Sequence, residues 1–117
     1  MVSPQIVAEL EDVVVRFRRF SLETHPELVW GVVSDLNGVR AVDKKLRVSL
    51  KSQAREAYAL LTVRADAGER LLVAGGAEVM LPASDEILTP VFDAIIGDVL
   101  VALDDSAPAT RRDSMPP

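Results

Sequence analysis

The spacing of apolar residues changes twice along this chain, and these changes limit the fold class more than any other feature. Residues 4–20 repeat apolar side chains every three or four positions, which is typical of a helix with one apolar face. Residues 45–51 alternate between apolar and polar side chains, which is typical of a β-strand. Helical spacing returns over residues 84–105. The chain therefore predicts an α+β domain, with a small, mostly antiparallel sheet across residues 45–82 and a carboxy-terminal amphipathic helix on it.

The amino-terminal segment predicts two helices. Ser3 can cap the first helix, and Pro4 suits its first position because the N–H that proline lacks would have no helical partner there. A second helix is predicted over residues 24–36, from a capping box at its start and an Asn-Gly pair after its end. Trp30 would lie in this second helix, away from its apolar stripe, and we expect it to pack internally rather than at an interface.

The clearest strand signal is KLRVSLK at residues 45–51. Its apolar side chains point one way, whereas Lys45, Arg47 and Lys51 point the other. We expect an exposed or edge strand, because lysines on an edge discourage pairing with another molecule.

Residues 52–75 fit two structures. The alternation over residues 59–65, followed by Gly68 and the apolar run RLLVA, predicts a hairpin. A single helix also fits, because the segment is rich in alanine and leucine and ends at two glycines. We favour the hairpin, since the central glycine and the threonine-valine pair weaken a helix. The helix would make the whole protein an all-α bundle instead.

The most regular helix is predicted over residues 84–105, where paired apolar positions recur at every turn. Ser84 or Thr89 is expected to cap it, with Pro90 in its first turn, where proline is tolerated.

Composition predicts one soluble domain. A chain of 117 residues, 49% of them hydrophobic, can build one core, which we place in residues 1–105, with a disordered polar tail over residues 106–117. The apolar runs are too short to span a membrane. The lack of cysteine and of a secretory signal predicts a cytoplasmic protein. The net charge of −5 argues against a nucleic-acid partner, although basic residues cluster in the middle of the chain.

No motif in the chain predicts catalysis. His25 is the only histidine and lies in a predicted helix cap, where it needs no function. The glycines of residues 74–76 lack the lysine and the spacing of a phosphate loop, and the carboxylates are scattered rather than clustered. We therefore assign no catalytic, cofactor-binding or metal-binding residue.

The function predicted from these features is a non-enzymatic protein interaction module. Two long apolar helix stripes exceed what a sheet of three or four strands covers, so a homodimer that buries one stripe is expected. A basic strand can also hold a partner by charge. The candidate interaction residues are Arg40, Lys45, Arg47, Lys51 and Trp30. The alternative is a small-ligand or enzymatic domain with a pocket between helices and sheet.

Overall fold

A computed structural model describes residues 4–37 and 43–105 of this protein. It shows an α+β arrangement, as predicted, whereas the all-α alternative is wrong. Five strands form one antiparallel sheet in the order β1-β2-β3-β4-β5, so each strand pairs with its neighbour in sequence. In chain order the elements are α1 (Pro4–Thr24), β1 (Val29–Asp35), β2 (Lys44–Ser52), β3 (Arg55–Asp66), β4 (Glu69–Ala74), β5 (Ala77–Leu81) and α2 (Asp85–Asp105).

The predicted second helix is wrong, because these residues form β1. Thr24 does not begin a helix but is the last residue of α1, where its hydroxyl donates to the carbonyl of Phe20 at 2.8 Å. The turn that follows is closed by the N–H of Leu28, which donates to the carbonyl of His25 at 3.0 Å. The valine-rich segment then pairs with β2, since branched side chains suit a strand better than a helix.

The hairpin over residues 52–75 is confirmed. β2 pairs with β3 through a two-residue loop, and β3 pairs with β4 through a second loop that holds Gly68 at a φ of 81°. Because β1 adds to the other side of β2, the basic strand is an interior strand of the sheet. The expectation of an edge strand for residues 45–51 is therefore wrong, although one face of β2 does remain exposed.

Both helices pack on the same face of the sheet. The stripe of α1 is buried at Ile6, Leu10, Val13 and Phe17. The stripe of α2 is buried at Leu88, Val91, Phe92, Ile95, Ile96, Val99 and Leu103. They meet the alternate side chains of β2, β3 and β4, which include Val48, Leu50, Leu61 and Leu72. Within residues 4–37 and 43–105, no helix lies on the other face of the sheet.

The start of α2 differs in part from its prediction. Ser84 caps the helix, since its carbonyl accepts from the N–H of Leu88 at 3.0 Å and its hydroxyl lies 3.3 Å from the N–H of Ile87. Pro90 is the sixth residue of the helix, so it lies in the second turn rather than the first. No helix in the described part of the chain is both long and apolar enough to cross a membrane.

Candidate functional site: the outer face of the sheet

The uncovered face of the sheet, which we call the outer face, carries apolar side chains at its centre. Strand alternation directs one set of side chains to the helices and the other set to the outer face. Tyr58, Leu60 and Met80 belong to the second set and are 47%, 49% and 57% exposed. Two residues on β4, Leu71 and Val73, are half-buried and also point to the outer face. We call this set the outer-face patch: Tyr58, Leu60, Leu71, Val73 and Met80.

Basic side chains from β2 border one side of this patch. Lys45, Arg47 and Lys51 all point to the outer face, as the sequence predicted from their alternation. The guanidinium of Arg47 lies 4.5 Å from the centre of the Tyr58 ring, a cation–π contact. Within residues 4–37 and 43–105, no carboxylate lies within ion-pair distance of Lys45 or Arg47, so both charges remain available to a partner.

A hydrogen-bonded cluster lies beside the basic strand. The carboxylate of Glu56 accepts from the hydroxyl of Ser49 and, at 2.8 Å, from the hydroxyl of Tyr58. The bond from Ser49, followed by that from Tyr58, lowers the pKa of Glu56 below its ordinary value, and the bond to Glu56 raises the pKa of Tyr58. Lys51 lies 3.9 Å from the same carboxylate. The cluster therefore holds Glu56 ionised and orients the Tyr58 ring.

The backbone of β1 makes room for this cluster. At Gly31, a Cβ would lie 2.9 Å from the hydroxyl oxygen of Ser49, so a larger residue there would force this hydroxyl to move. The register of β1 against β2 shifts between Trp30 and Val33, so a β-bulge accompanies the glycine.

A depression lies on the outer face next to Lys45. It has a volume of about 330 Å³ and is lined by Asn37, Asp43, Lys45, Thr62, Arg64 and Val73. Across β4, the carboxylate of Glu78 on β5 accepts a hydrogen bond from Arg64 on β3 at 3.2 Å. The outer face thus carries unpaired basic charge on β2 and acidic charge on β5, with the apolar patch between them.

Trp30, which was predicted to be an interaction residue together with the basic residues, does not lie on the same face of the sheet as those of β2 do. Its ring lies on the helix side of β1, 5.5 Å from the ring of Phe17, with the guanidinium of Arg18 at 5.8 Å. Trp30 therefore packs internally, but from strand β1 onto α1 rather than from a second helix onto the sheet. Arg40 lies outside the described residues.

The other features singled out in the sequence form no shared site. His25 follows α1, and its Nδ1 lies 3.0 Å from the hydroxyl of Thr24. Among the described residues, no group of three or more histidine and carboxylate side chains is placed to hold a metal ion. The glycines of residues 74–76 form the turn between β4 and β5.

The apolar residues of the outer face were not assigned as candidates from the sequence. A signal was present in the doublets Leu60-Leu61 and Leu71-Leu72, because two successive apolar residues in a strand place one on each face. Such doublets are typical of strands that are covered on both sides.

Comparisons with protein-family models, with curated proteins and with solved structures find no match to this chain.

Proposed function

We propose that this protein is a non-enzymatic interaction module that self-associates through its outer face. The single observation that supports this proposal is the apolar patch on a sheet face that no element of the described chain covers. Large exposed apolar areas on a protein surface mark interaction sites. The second copy therefore takes the place of a second layer on the sheet.

The helix stripes do not support the dimer that was expected from the sequence. Most side chains of both stripes are buried on one face of a five-stranded sheet, although Ile87 and Leu100 of the α2 stripe remain exposed. This sheet has two more strands than the smallest one considered from the sequence. The reason given for a dimer, a helix stripe that the sheet leaves uncovered, is therefore not supported, and the dimer itself stays a prediction. The apolar surface that remains uncovered lies on the opposite side of the sheet.

The outer face is large enough for a dimer interface. Five strands about 4.8 Å apart and roughly 30 Å long give a face of about 600 Å² before rim side chains are counted. A standard stable interface buries about 800 Å² on each partner. A face-to-face pair of sheets would thus reach the size of a weak to standard dimer, with sheets about 10 Å apart.

The charges of the outer face are complementary under two-fold symmetry. The pairing register places Lys45, Thr62, Val73 and Glu78 in one row across β2, β3, β4 and β5. A two-fold axis along β3 lays β2 of one copy over β4 of the other. Lys45 then stands over Val73 of the partner subunit and beside its Glu78, so the same contact forms twice.

Charge reversal tests this arrangement. We expect Lys45→Glu and Glu78→Lys each to weaken the dimer about tenfold, because each places like charges opposite one another. The double variant restores the opposite pairing and should recover most of the affinity. Sedimentation equilibrium over a range of concentrations measures each dissociation constant. Glu11→Lys, on the exposed side of α1, is the matched control and should leave the dimer unchanged.

Val73→Glu provides a test of the patch itself. It places a carboxylate at the centre of the apolar contact and should give a monomer at all concentrations measured. A wild-type protein that is monomeric throughout, or a dimer that withstands both Val73→Glu and Lys45→Glu, would overturn the proposal.

A further inference from the structure

One half of β3 has a neighbour on only one of its two edges. β2 pairs with β3 along its length, from Ser52 opposite Arg55 to Lys44 opposite Val63. β4 pairs only with residues 62–66 of β3, because the chain turns at Gly75 and Gly76 into β5. Residues 55–61 of β3 therefore have a free edge, in the plane of the sheet, where β4 would lie if it were longer.

The two hairpins determine which backbone groups face this free edge. Residues that close a two-residue hairpin loop form a hydrogen-bonded pair, as Ser52 and Arg55 do. Hydrogen-bonded pairs recur at every second residue, so the backbone N–H and carbonyl groups of the odd-numbered residues of β3, starting with Arg55, point toward β2. Those of the even-numbered residues point toward the opposite edge. This agrees with the pair of Asp66 and Glu69, which closes the next loop.

The N–H and carbonyl groups that face the free edge are therefore those of Glu56, Tyr58 and Leu60. Within the two described ranges, no backbone or side-chain group pairs with them. An exposed row of strand N–H and carbonyl groups is a template on which another strand can add.

A cleft lies along this edge. Its volume is about 210 Å³, and it is bounded by Tyr58, Ala59, Leu60, Gly75, Gly76, Ile95 and Asp98. The glycine turn closes one end, α2 forms the floor, and the cleft continues onto the outer face beside Tyr58 and Leu60. An added strand would thus have a floor as well as an edge.

The floor of the cleft carries one acidic side chain. Exposed Asp98 lines the cleft beside the apolar Ile95, on a helix that has no basic residue. The outer side, by contrast, offers the apolar faces of Tyr58 and Leu60. Alternate side chains of an added strand would meet these two different surfaces.

We propose that the free edge of β3 binds an extended peptide segment of another protein by strand addition, and that this segment alternates basic and apolar side chains. The basic side chains lie toward Asp98, and the apolar ones lie toward Tyr58 and Leu60. Backbone hydrogen bonds to Glu56, Tyr58 and Leu60 supply the affinity, and the two surfaces supply the selectivity. This site shares Tyr58 and Leu60 with the outer-face patch, but its backbone edge and Asp98 lie outside that patch, so peptide methylation and Asp98→Lys test it apart from self-association.

The test uses a fluorescent seven-residue peptide that alternates lysine and valine. We expect saturable binding to the full chain by fluorescence anisotropy, and binding weakened at least about tenfold when the peptide nitrogens are methylated. Asp98→Lys should weaken binding by a similar factor, whereas Asp93→Lys, on the same helix but outside the cleft, should not. A peptide alternating glutamate and valine should bind more weakly than the lysine peptide.

A backbone variant tests the edge itself. Leu60→Pro removes an N–H that faces the cleft and leaves the ladder to β2 intact, and proline is tolerated at such edge positions. It should weaken peptide binding by about tenfold. Circular dichroism shows whether the variant folds. If it does not fold, the methylated peptide and Asp98→Lys still decide. No binding, or binding indifferent to both methylation and Asp98→Lys, would overturn the proposal. Lys45→Glu, which weakens the dimer and so uncovers Tyr58 and Leu60, should bind the peptide at least as tightly as the wild type does.

Discussion

Gly75, in the turn between β4 and β5, lies directly against the backbone of Val91 in α2. A Cβ at residue 75 would be 3.1 Å from the carbonyl oxygen of Val91, and φ at this glycine is +57°. The contact holds the short hairpin of β4 and β5 on α2. It also ends β4 early, which exposes the free edge of β3.

Gly75→Ala should destabilise the protein by about 2–3 kcal/mol. About 1 kcal/mol or more comes from the left-handed backbone, and the rest comes from the close carbonyl. Gly68→Ala is the matched control, because its φ is +81° but a Cβ there meets nothing within 4 Å. It should cost only about 1 kcal/mol, as measured by urea denaturation. Equal losses for the two variants would contradict the contact with Val91.

Gly31→Ala should change the pKa of Glu56. The new methyl group displaces the hydroxyl of Ser49, and this hydroxyl is the main cause of the lowered pKa of Glu56. The pKa of the Glu56 carboxyl should therefore rise toward its ordinary value, as followed by NMR titration of the side-chain carbon. Ser49→Ala should raise the pKa of Glu56 in the same direction without any steric effect. A pKa of Glu56 that is unchanged in both variants would show that the bond is not formed in solution.

Asp85→Asn should reduce stability at neutral pH but not in acid. The hydrogen bond from Arg16 lowers the pKa of Asp85 below its ordinary value of 3.8, so the ionised carboxylate stabilises the fold. That contribution is complete above the unfolded-state pKa and is lost as pH falls through the lower folded-state pKa. The difference in melting temperature between wild type and variant should thus shrink below about pH 4. A difference that is constant from pH 7 to pH 2 would contradict this ion pair.

Phe17→Ala should cost about 3–5 kcal/mol, because a fully buried aromatic ring leaves a cavity. Phe17 packs against Trp30 at 5.5 Å and against Phe92 at 5.3 Å, so the cavity lies where both helices meet the sheet. The fluorescence of Trp30, the only tryptophan, should shift to longer wavelength as water gains access. Leu22→Ala, on the exposed side of α1, should change the free energy of unfolding by no more than about 0.5 kcal/mol.

Pro90→Ala should stabilise the protein by about 1–2 kcal/mol. Pro90 is exposed in the second turn of α2, where its ring crowds the carbonyl of Glu86 and it provides no N–H to that carbonyl. Pro26→Ala, in the turn after α1, should instead lower the free energy of unfolding by a few tenths of a kcal/mol, because alanine gives the unfolded chain more conformational freedom than proline does. Thermal denaturation of both variants gives the comparison. A loss of stability in Pro90→Ala would show that the proline ring makes a contact that stabilises α2.

The helices at the two ends and the hairpin of β3 and β4 could be predicted from the sequence because their signals are local. Helical spacing from Ile6 to Phe17 and the positive-φ glycine at residue 68 each act within a few residues. The β1 segment could not be predicted in this way. The segment starts with what resembles a helix cap, but Thr24 is the last residue of α1. Pairing with β2 then outweighs the local preference of residues 24–36 for a helix.

The candidate site was only half predictable. Alternation determined that Lys45, Arg47 and Lys51 share a face, and this is a property of the strand alone. Which residues join them depended on neighbours far along the chain, such as Leu60 on β3 and Met80 on β5.

The sequence by itself determined the type of most elements and the two faces of each strand, because periodicity is set by backbone geometry within one element. The tertiary structure alone decided that both helices cover the same face of the sheet and leave the other open. It also decided that β4 ends at Ala74, before the Gly75 turn, and leaves one edge of half of β3 without a neighbouring strand. Coverage and register depend on contacts between distant segments, whose relative positions no local spacing encodes.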